Sequence, residues 1–251
     1  IHAAALKHVH LAEYNPFEVV KTNILGAQNV ISAAMNNNVE KIIALSTDKA
    51  SSPVNLYGAT KLTSDKLFIA ANNYKGQNKI KFSIVRYGNV LKSRGSVVPF
   101  FLNHEKYGWF PITSKEMTRF NITLNEGVQF VINSLEKMWG GEVFIPKIPS
   151  YKITDIAKAI NPKNKLKIVG VRGGEKIHEE MISESDSLNS YEFKKYYVIL
   201  PSKEYLRWNI QKYLTRYKDD KGKKCIENFN YNSKDNKIFL NISQLKNLIF
   251  R

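Results

Sequence analysis

Cysteine and long apolar runs are what this 251-residue sequence most clearly lacks. Its single cysteine, Cys225, lies in a polar, lysine-rich stretch and has no partner for a disulfide within the chain. No apolar run approaches the roughly 18 residues of a membrane-spanning helix, and no signal peptide is recognisable at Ile1. These absences argue against a disulfide scaffold and against membrane association. They favour a reducing, cytoplasmic location.

The sequence also lacks an internal repeat and a pattern of metal ligands. Its five histidines have no spacing typical of a metal site: they are His2, His8, His10, His104 and His178. We therefore predict that the protein uses no metal ion, and we expect His178 to brace the loop that carries it.

Positive charge is in excess, since 38 Lys and Arg residues against 22 Asp and Glu residues give a formal net charge of +16. Such an excess is typical of nucleic-acid-binding proteins. However, the lysines are spread along the chain, and Asp219 and Asp220 interrupt the densest basic stretch, residues 212–224. We expect small anionic ligands such as nucleotides and no nucleic acid. A basic nucleic-acid-binding protein is the non-enzyme alternative.

Strand and helix patterns alternate in the first part of the chain. Apolar residues at 39–45 and 81–85 predict buried strands, and a helical pattern runs to about Tyr74 after the turn at 51–55. Before them, Asn15 as N-cap, Pro16 at the first helical position and Glu18 at the third predict a helix that ends at the asparagines 36–38.

This alternation predicts an α/β fold with an open, doubly wound parallel sheet. In such sheets the ligand binds beyond the carboxyl ends of the strands. Segments 3–7, 46–49 and 87–90 would converge there. The second half is less regular: helices are predicted at 100–108, 125–138, 154–160 and 240–250, and short strands at 141–146 and 166–169.

A glycine-rich phosphate-binding turn is missing. A dinucleotide-binding fold begins with a strand, such a turn and an acidic residue about 20 residues later. The glycine-rich segment 170–174 comes too late in the chain to serve. We interpret the first strands of the domain as absent from these 251 residues. We therefore expect these residues alone to bind a dinucleotide poorly, to be inactive and to aggregate through an exposed sheet edge.

Tyr57 and Lys61 are four residues apart and share one face of the predicted helix. An ammonium beside a phenol lowers the pKa of the phenol, which makes it a general base. The same spacing recurs at Tyr191 with Lys195 and at Tyr217 with Lys221, where a solvated helix face is expected. The first pair differs because a strand end with Ser46 and Thr47 comes just before it.

That arrangement resembles the short-chain dehydrogenase/reductase superfamily. Within it, the chain is similar over essentially its whole length to the UDP-N-acetylglucosamine 4,6-dehydratases. The segments that carry the resemblance are 2–9, 13–16, 22–26, 45–50, 55–61, 85–90, 118–120, 170–179 and 231–240. Tyr57 matches the short inverting members, which open pseudaminic acid synthesis, since the membrane-bound retaining members usually have methionine there. Gly173, where the family usually has proline, departs from the pattern.

The resemblance implies an extended Rossmann-like fold with NADP as cofactor and a UDP-sugar as substrate. It implies that residues 1–150 are the NADP-binding part, that 151–251 are a smaller substrate-binding region and tail, and that 89–120 contribute to the substrate site. The implied catalytic residues are Thr47, Asp48, Lys49, Tyr57 and Lys61. The implied NADP contacts are Ala3, Leu45, Ser46, Tyr57, Lys61 and Val90. The implied substrate contacts are Lys7, Lys49, Asn89, Arg119, Arg172 and Glu175.

The expected chemistry starts with Tyr57 taking the proton of the carbon-4 hydroxyl during oxidation by NADP. The resulting ketone acidifies the proton at carbon 5, which Lys49 would remove if burial beside Lys61 lowers its pKa. Asp48 would protonate the leaving hydroxyl at carbon 6 if its own pKa is raised. A solvated surface pair is the alternative interpretation of Asp48 and Lys49.

Two other enzyme-related interpretations remain open. A UDP-sugar epimerase of the same superfamily would use Thr47, Tyr57 and Lys61 but would not need Asp48 and Lys49. An inactive truncated homologue would follow from the missing front of the domain. A complete enzyme of this kind is expected to be a homo-oligomer.

Overall fold

The computed structural model describes residues 1–250. The helices are α1 (Val9–Tyr14), α2 (Pro16–Val20), α3 (Gly26–Asn36), α4 (Leu56–Tyr74), α5 (Val97–His104), α6 (Leu124–Lys137), α7 (Ile153–Ile160), α8 (Glu184–Ser187), α9 (Ile210–Leu214) and α10 (Ile242–Phe250). A π-helical turn spans Lys21–Leu25, and 3₁₀ turns span Asp48–Ala50, Glu105–Tyr107 and Lys203–Tyr205. The strands are β1 (Lys41–Thr47), β2 (Lys81–Tyr87), β3 (Asn89–Val90), β4 (Trp109–Ile112), β5 (Thr118–Ile122), β6 (Val143–Pro146), β7 (Ser150–Lys152), β8 (Lys165–Ile168), β9 (Glu180–Ile182), β10 (Ser190–Glu192), β11 (Tyr196–Ile199), β12 (Lys223–Lys224) and β13 (Tyr231–Asn232).

The chain folds into two compact units, each built from several segments. The first unit comprises Ile1–Tyr87, Val128–Lys147 and Met181–Asn230. The second comprises Gly88–Gly127, Ile148–Glu180 and Tyr231–Arg251. This division differs from the predicted boundary at residue 150, because residues from both sides of that boundary contribute to each unit.

A six-stranded sheet in the order β1-β2-β6-β11-β10-β12 forms the centre of the first unit. Strands β1, β2 and β6 are parallel, which confirms the predicted doubly wound core. His2 adds a parallel bridge to Ala44 on the free side of β1. The antiparallel strands β11, β10 and β12 were not predicted. Their short length gives little periodic signal in the sequence.

Polar residues extend β1 beyond its predicted end at Leu45. Ser46 pairs with Arg86 and Thr47 pairs with Tyr87, so the ladder continues to the last residue of both strands. Helix α4 spans the predicted range from the turn at 51–55 to Tyr74. The sheet therefore delivers Thr47 and the following turn to the carboxyl edge, as the sequence predicted.

Asn15 occupies the predicted N-cap position of α2. Helix α2 does begin at Pro16, but the side chain of Asn15 makes no capping hydrogen bond. Its backbone N–H donates instead to the carbonyl of Leu11, because Asn15 terminates α1. The carboxylate of Glu18 pairs with Lys21 on the surface.

In the second unit, β3, β5 and β7 form one sheet and the parallel pair β4 and β8 forms another. Side chains of α5, α7 and α10 pack together in its core, including Phe101, Ile156 and Leu245. The helices predicted at 154–160 and 240–250 are present as α7 and α10, and the helix predicted at 100–108 ends earlier, at His104. No helix within residues 1–250 has the length and apolarity to cross a lipid bilayer.

Candidate active site

The 3₁₀ turn after β1 brings three polar side chains together in the first unit. The hydroxyl of Thr47 donates to Oδ1 of Asp48 at 2.9 Å, and the ammonium of Lys49 lies 3.1 Å from the same oxygen. Asp48 is buried and Lys49 is half-buried. Two neighbouring groups that hold protons therefore lie side by side at the carboxyl edge of the parallel strands.

Helix α4 starts where it does because Asn55 caps it and Gly58 lets it approach the turn. Oδ1 of Asn55 accepts the backbone N–H of Gly58 at 2.8 Å. A Cβ atom on Gly58 would lie 2.2 Å from the carbonyl oxygen of Lys49, which no side chain can tolerate. This close packing sets Tyr57 beside the turn that carries Asp48 and Lys49.

The structure joins Tyr57 to Thr47 but contradicts the predicted direction of its pKa. Burial raises the pKa of Tyr57 to about 12, and the charges of Asp48 and Asp65 also raise it, while the ammonium of Lys49 and a hydrogen bond with Thr47 lower it. Among the groups that lower this pKa, the ammonium of Lys49 has the largest effect, whereas the sequence suggested Lys61. In this state Tyr57 holds its proton at neutral pH.

Lys61 is 3% exposed, and within residues 1–250 its ammonium forms no hydrogen bond. Burial lowers the pKa of Lys61, and the carboxylate of Asp65 raises it. A buried cation without a hydrogen-bond acceptor fits a position that a bound dinucleotide would complete through a ribose hydroxyl.

The predicted lowering of the Lys49 pKa by burial beside Lys61 stays a prediction. The ammonium of Lys49 forms an ion pair with Asp48, the preceding residue in the chain. Sequence reasoning placed the two lysines together because both flank Tyr57. The helix directs Lys61 into the interior, while the 3₁₀ turn leaves Lys49 partly open to solvent.

Asn23 is a site residue that sequence reasoning passed over. It is buried in the π-helical turn, where its amide donates to the carbonyl of Leu6 and to Oγ1 of Thr60, both at 3.0 Å. Its Oδ1 accepts the backbone N–H of Leu6 at 2.9 Å. Asn23 thus ties the 3–7 segment to α4 just before Lys61. An irregular helical turn is a frequent mark of such positions, but the sequence gives no sign of it.

The remaining candidates of the first unit lie around this centre. Ser46 is buried, and its hydroxyl donates to Oδ2 of Asp65 at 2.6 Å. Leu45 is half-buried, whereas Ala3 and Lys7 are exposed. This hydrogen bond orients Ser46, and the side chain of Leu45 packs against a core cluster that includes Val85 and Phe144.

In the second unit, Asn89 and Glu175 are half-buried, and each has a buried oxygen without a hydrogen-bond partner within residues 1–250. Val90 is also half-buried, while Arg172 is exposed. Oxygens that are buried and unpaired fit the predicted recognition of a polar ligand such as a ribose, since buried polar groups are usually satisfied.

Most of the hydrogen-bonding capacity of Arg119 is already used. Its guanidinium donates to the carbonyls of Thr118, Ile177 and Lys176 at 2.7–3.0 Å, and it lies 3.6 Å from the carboxylate of Glu179. Three of the five N–H groups are used and the Nε N–H faces Glu179, so one Nη2 N–H remains for a phosphate. Arg119 therefore holds the loop before Glu179, and His178 braces the same loop through Thr118 at 2.9 Å.

A cavity of about 640 Å³ lies beside α4 in the first unit. Asp65 and Arg86 line it together with Ser51 and Asp186. No group of three or more His, Cys, Asp and Glu side chains within residues 1–250 is arranged to hold a metal ion.

Comparisons with known proteins bear on this site. Residues 1–201 match the model of a family described as polysaccharide biosynthesis protein. Over 251 residues the chain is 54% identical to an inverting UDP-N-acetylglucosamine 4,6-dehydratase of Campylobacter jejuni, an alignment that covers 99% of this chain and 75% of that enzyme. A UDP-glucose 4-epimerase of Rickettsia canadensis is 42% identical over 203 residues, which are 79% of this chain and 60% of that protein. The X-ray structure of Pen from Bacillus thuringiensis matches with a TM-score of 0.86 and 36% identity, covering 99% of this chain and 75% of that one.

Proposed function

The chain belongs to the polysaccharide biosynthesis protein family, and from this membership we propose that it converts UDP-N-acetylglucosamine to a UDP-4-keto-6-deoxy sugar with inversion at carbon 5. The membership confirms the family resemblance of the sequence. The observation that carries the proposal is the Asp48–Lys49 ion pair beside Thr47 and Tyr57. An acid and a base at this position are what an elimination needs, and an epimerase has no use for them.

We assign the first proton transfer to Tyr57. Once the phenol, which is hydrogen-bonded to Thr47, has lost its own proton, its oxygen accepts the proton of the carbon-4 hydroxyl as that carbon is oxidised. NADP, when bound, supplies the exchange of a hydride with the sugar. Lys61 and Ser46 are the residues best situated to hold it, with Ala3, Leu45 and Val90 as further predicted contacts. A pKa of about 12 for Tyr57 means that additional positive charge must reach the phenol before it works as a base near neutral pH.

The elimination follows from a proton shift within the Asp48–Lys49 pair. Moving one proton over the 3.1 Å from Nζ of Lys49 to Oδ1 of Asp48 leaves a neutral amine and a protonated carboxyl group, with no change of total charge. The amine removes the proton at carbon 5, and the carboxyl group protonates the hydroxyl that leaves carbon 6 as water. With NADP bound, the hydride taken from carbon 4 would return to carbon 6, and a proton returned to the opposite face of carbon 5 inverts that centre.

For substrate binding we propose Lys7 and Lys49 in the first unit, and Asn89, Arg172 and Glu175 in the second. Arg172 supplies charge for the diphosphate, while Asn89 and Glu175 offer oxygens to hydroxyl groups of the ligand. Arg119 contributes at most one N–H. The UDP-sugar is the proposed ligand; the homo-oligomer, the cytoplasmic location and the absence of a nucleic-acid partner stay predictions.

Deuterium incorporation separates the dehydratase from the epimerase. In D₂O an active preparation given UDP-N-acetylglucosamine and NADP should release a product that has lost water and carries deuterium at carbon 5. A 4-epimerase would give an isomer of unchanged composition without deuterium at that carbon. The second result would refute the proposed function, and NMR of the product would also report the configuration at carbon 5.

A further inference from the structure

Helix α4 carries a third buried titratable group on the face of Tyr57 and Lys61, and the proposed mechanism does not use it. Asp65 lies four residues after Lys61 and is 1% exposed. Its Oδ2 accepts the hydroxyl of Ser46 at 2.6 Å and lies 3.4 Å from the guanidinium of Arg86. The carboxylate therefore connects the helix to the ends of β1 and β2.

The positive charge of Arg86 is not available to Asp65 alone, because the guanidinium also interacts with other groups. The guanidinium donates to the carbonyl of Met181 at 3.0 Å and lies 3.7 Å from the carboxylate of Asp186. Burial raises the pKa of Asp65, whereas Arg86, Lys61 and the hydrogen bond from Ser46 lower it. Part of the negative charge of Asp65 thus acts on Lys61, and Lys61 in turn helps to lower the pKa of the nearby imidazole of His2.

We propose that Asp65 is the positioning residue of the redox centre, which fixes Ser46 at the end of β1 and supplies the negative charge that faces Lys61. Ser46 precedes Thr47, so an anchored Ser46 fixes the strand end that bears the partner of Tyr57. Lys61 depends on Asp65 because a buried ammonium without an anion nearby loses its proton readily. The role of Lys61 itself rests on the proposed function.

The substitution Asp65→Asn removes the charge of the side chain and keeps its shape. In Asp65→Asn, the ionisation of Lys61 should shift to lower pH. NMR of the chain with ¹³Cε-labelled lysine measures this ionisation, and Lys61→Met identifies the resonance. Glu142→Gln is the matched control. Glu142 is likewise fully buried and accepts a seryl hydroxyl, that of Ser83, at 2.6 Å. A titration of Lys61 that does not change in Asp65→Asn, or that shifts equally in Glu142→Gln, overturns the proposal.

The reverse measurement covers the case that Asp65→Asn does not fold. In Lys61→Met the carboxyl group of Asp65, observed through ¹³Cγ, should titrate at higher pH than in the unchanged chain, because Lys61 lowers that pKa. Identical titrations of Asp65 in both proteins would show that the two groups do not interact. Neither measurement needs turnover, so a failure of the proposed function would be seen separately.

Two kinetic results complete the test in an active preparation. The alkaline limb of the pH profile of kcat should move to lower pH in Asp65→Asn, with the KM for the UDP-sugar unchanged. In Asp65→Ala, added formate should restore the position of that limb through the cavity that Asp65 and Arg86 line, and chloride should not. A uniform loss of kcat at every pH, without rescue, would indicate a merely structural role and overturn the proposal.

Discussion

The ammonium of Lys49 lies 3.1 Å from Oδ1 of Asp48, yet the two side chains differ in access to solvent. The carboxylate is 1% exposed and the lysine side chain 22% exposed. A buried acid is held in place, while the partly open amine can reach a substrate. This difference in exposure is consistent with Lys49 as the mobile base and Asp48 as the fixed acid.

Removing either partner should separate oxidation from elimination. In Lys49→Ala or Asp48→Asn, carbon 4 should still be oxidised, because Tyr57 and Thr47 remain, but water should not be lost. Reduced nicotinamide should then accumulate after mixing with UDP-N-acetylglucosamine, visible by its absorbance. Lys66→Ala, at an exposed lysine of α4, is the control and should dehydrate normally. Normal release of the 4-keto-6-deoxy product by either site variant would remove that residue from the mechanism.

Loss of the phenol hydroxyl should slow the first step. In an active preparation, Tyr57→Phe should lower turnover by roughly 10²- to 10⁴-fold, the usual contribution of general acid–base catalysis. Binding of the UDP-sugar should change little, because the ring of Tyr57 remains. Steady-state kinetics and calorimetry would measure the two effects separately. Turnover close to that of the unchanged enzyme would rule out Tyr57 as the base.

The raised pKa of Tyr57 should be visible in a residue-specific titration. With ¹³Cζ-tyrosine labelling, the resonance of Tyr57 should titrate near pH 12. Lys49→Met should move this midpoint higher, because the ammonium of Lys49 lowers it, and Asp48→Asn should move it lower. A midpoint near 10 that neither change affects would show that the phenol is neither buried nor coupled to the pair.

The raised pKa of Tyr57 also predicts that the free energy of unfolding depends on pH. A folded-state pKa above the unfolded value near 10 means that the unfolded chain releases this proton first as pH rises. The contribution of Tyr57 is therefore fully present below pH 10 and is lost as pH rises to about 12. Between pH 9 and pH 12, the free energy of unfolding measured by urea denaturation should therefore fall less steeply with pH in Tyr57→Phe than in the unchanged chain.

Sequence reasoning located the active-site elements because each has a strong local signal. The run of apolar residues before Ser46 marks β1, and Asn55 marks the start of α4. Their convergence follows from the rule that ligands bind beyond the carboxyl ends of parallel strands. The direction of the Tyr57 pKa was wrong because residue spacing shows that a lysine is near but not how far burial opposes its effect.

Partners distant in sequence account for most of the rest. Asp65 is on the same helix face as Lys61, a spacing that the sequence does show, but its contacts with Ser46 and Arg86 depend on the register of β1 and β2. Arg119 donates to the carbonyls of a loop almost 60 residues later in the chain, and no local sequence pattern indicates these hydrogen bonds. The small antiparallel strands depend on such pairings as well.

The two arginines predicted to bind phosphate should behave differently when removed. Arg119→Ala removes the cation that lies 3.6 Å from the buried carboxylate of Glu179 and the donor to three carbonyls, so it should lower the free energy of unfolding by about 3–5 kcal/mol. Arg172→Ala, at an exposed position, should change stability by less than about 0.5 kcal/mol and weaken UDP binding. Denaturation and calorimetry would test both. Equal stability of the two variants would contradict the bracing role of Arg119.

Two helical glycines provide a matched test of the packing that sets Tyr57 in place. In Gly58→Ala the new Cβ would meet the carbonyl oxygen of Lys49 at 2.2 Å, and that atom is backbone that cannot swing away. We expect a cost of about 1–3 kcal/mol, as for other overpacked sites, and a displaced 3₁₀ turn. In Gly127→Ala the nearest atom is Cδ1 of Ile122 at 3.9 Å, so alanine should be tolerated and should stabilise α6 by up to about 1 kcal/mol. Denaturation measures both changes, and the ¹³Cζ titration of Tyr57 should change only in Gly58→Ala. If the two variants were equally stable and Tyr57 titrated normally in both, the close approach of α4 to Lys49 would not be what positions the phenol.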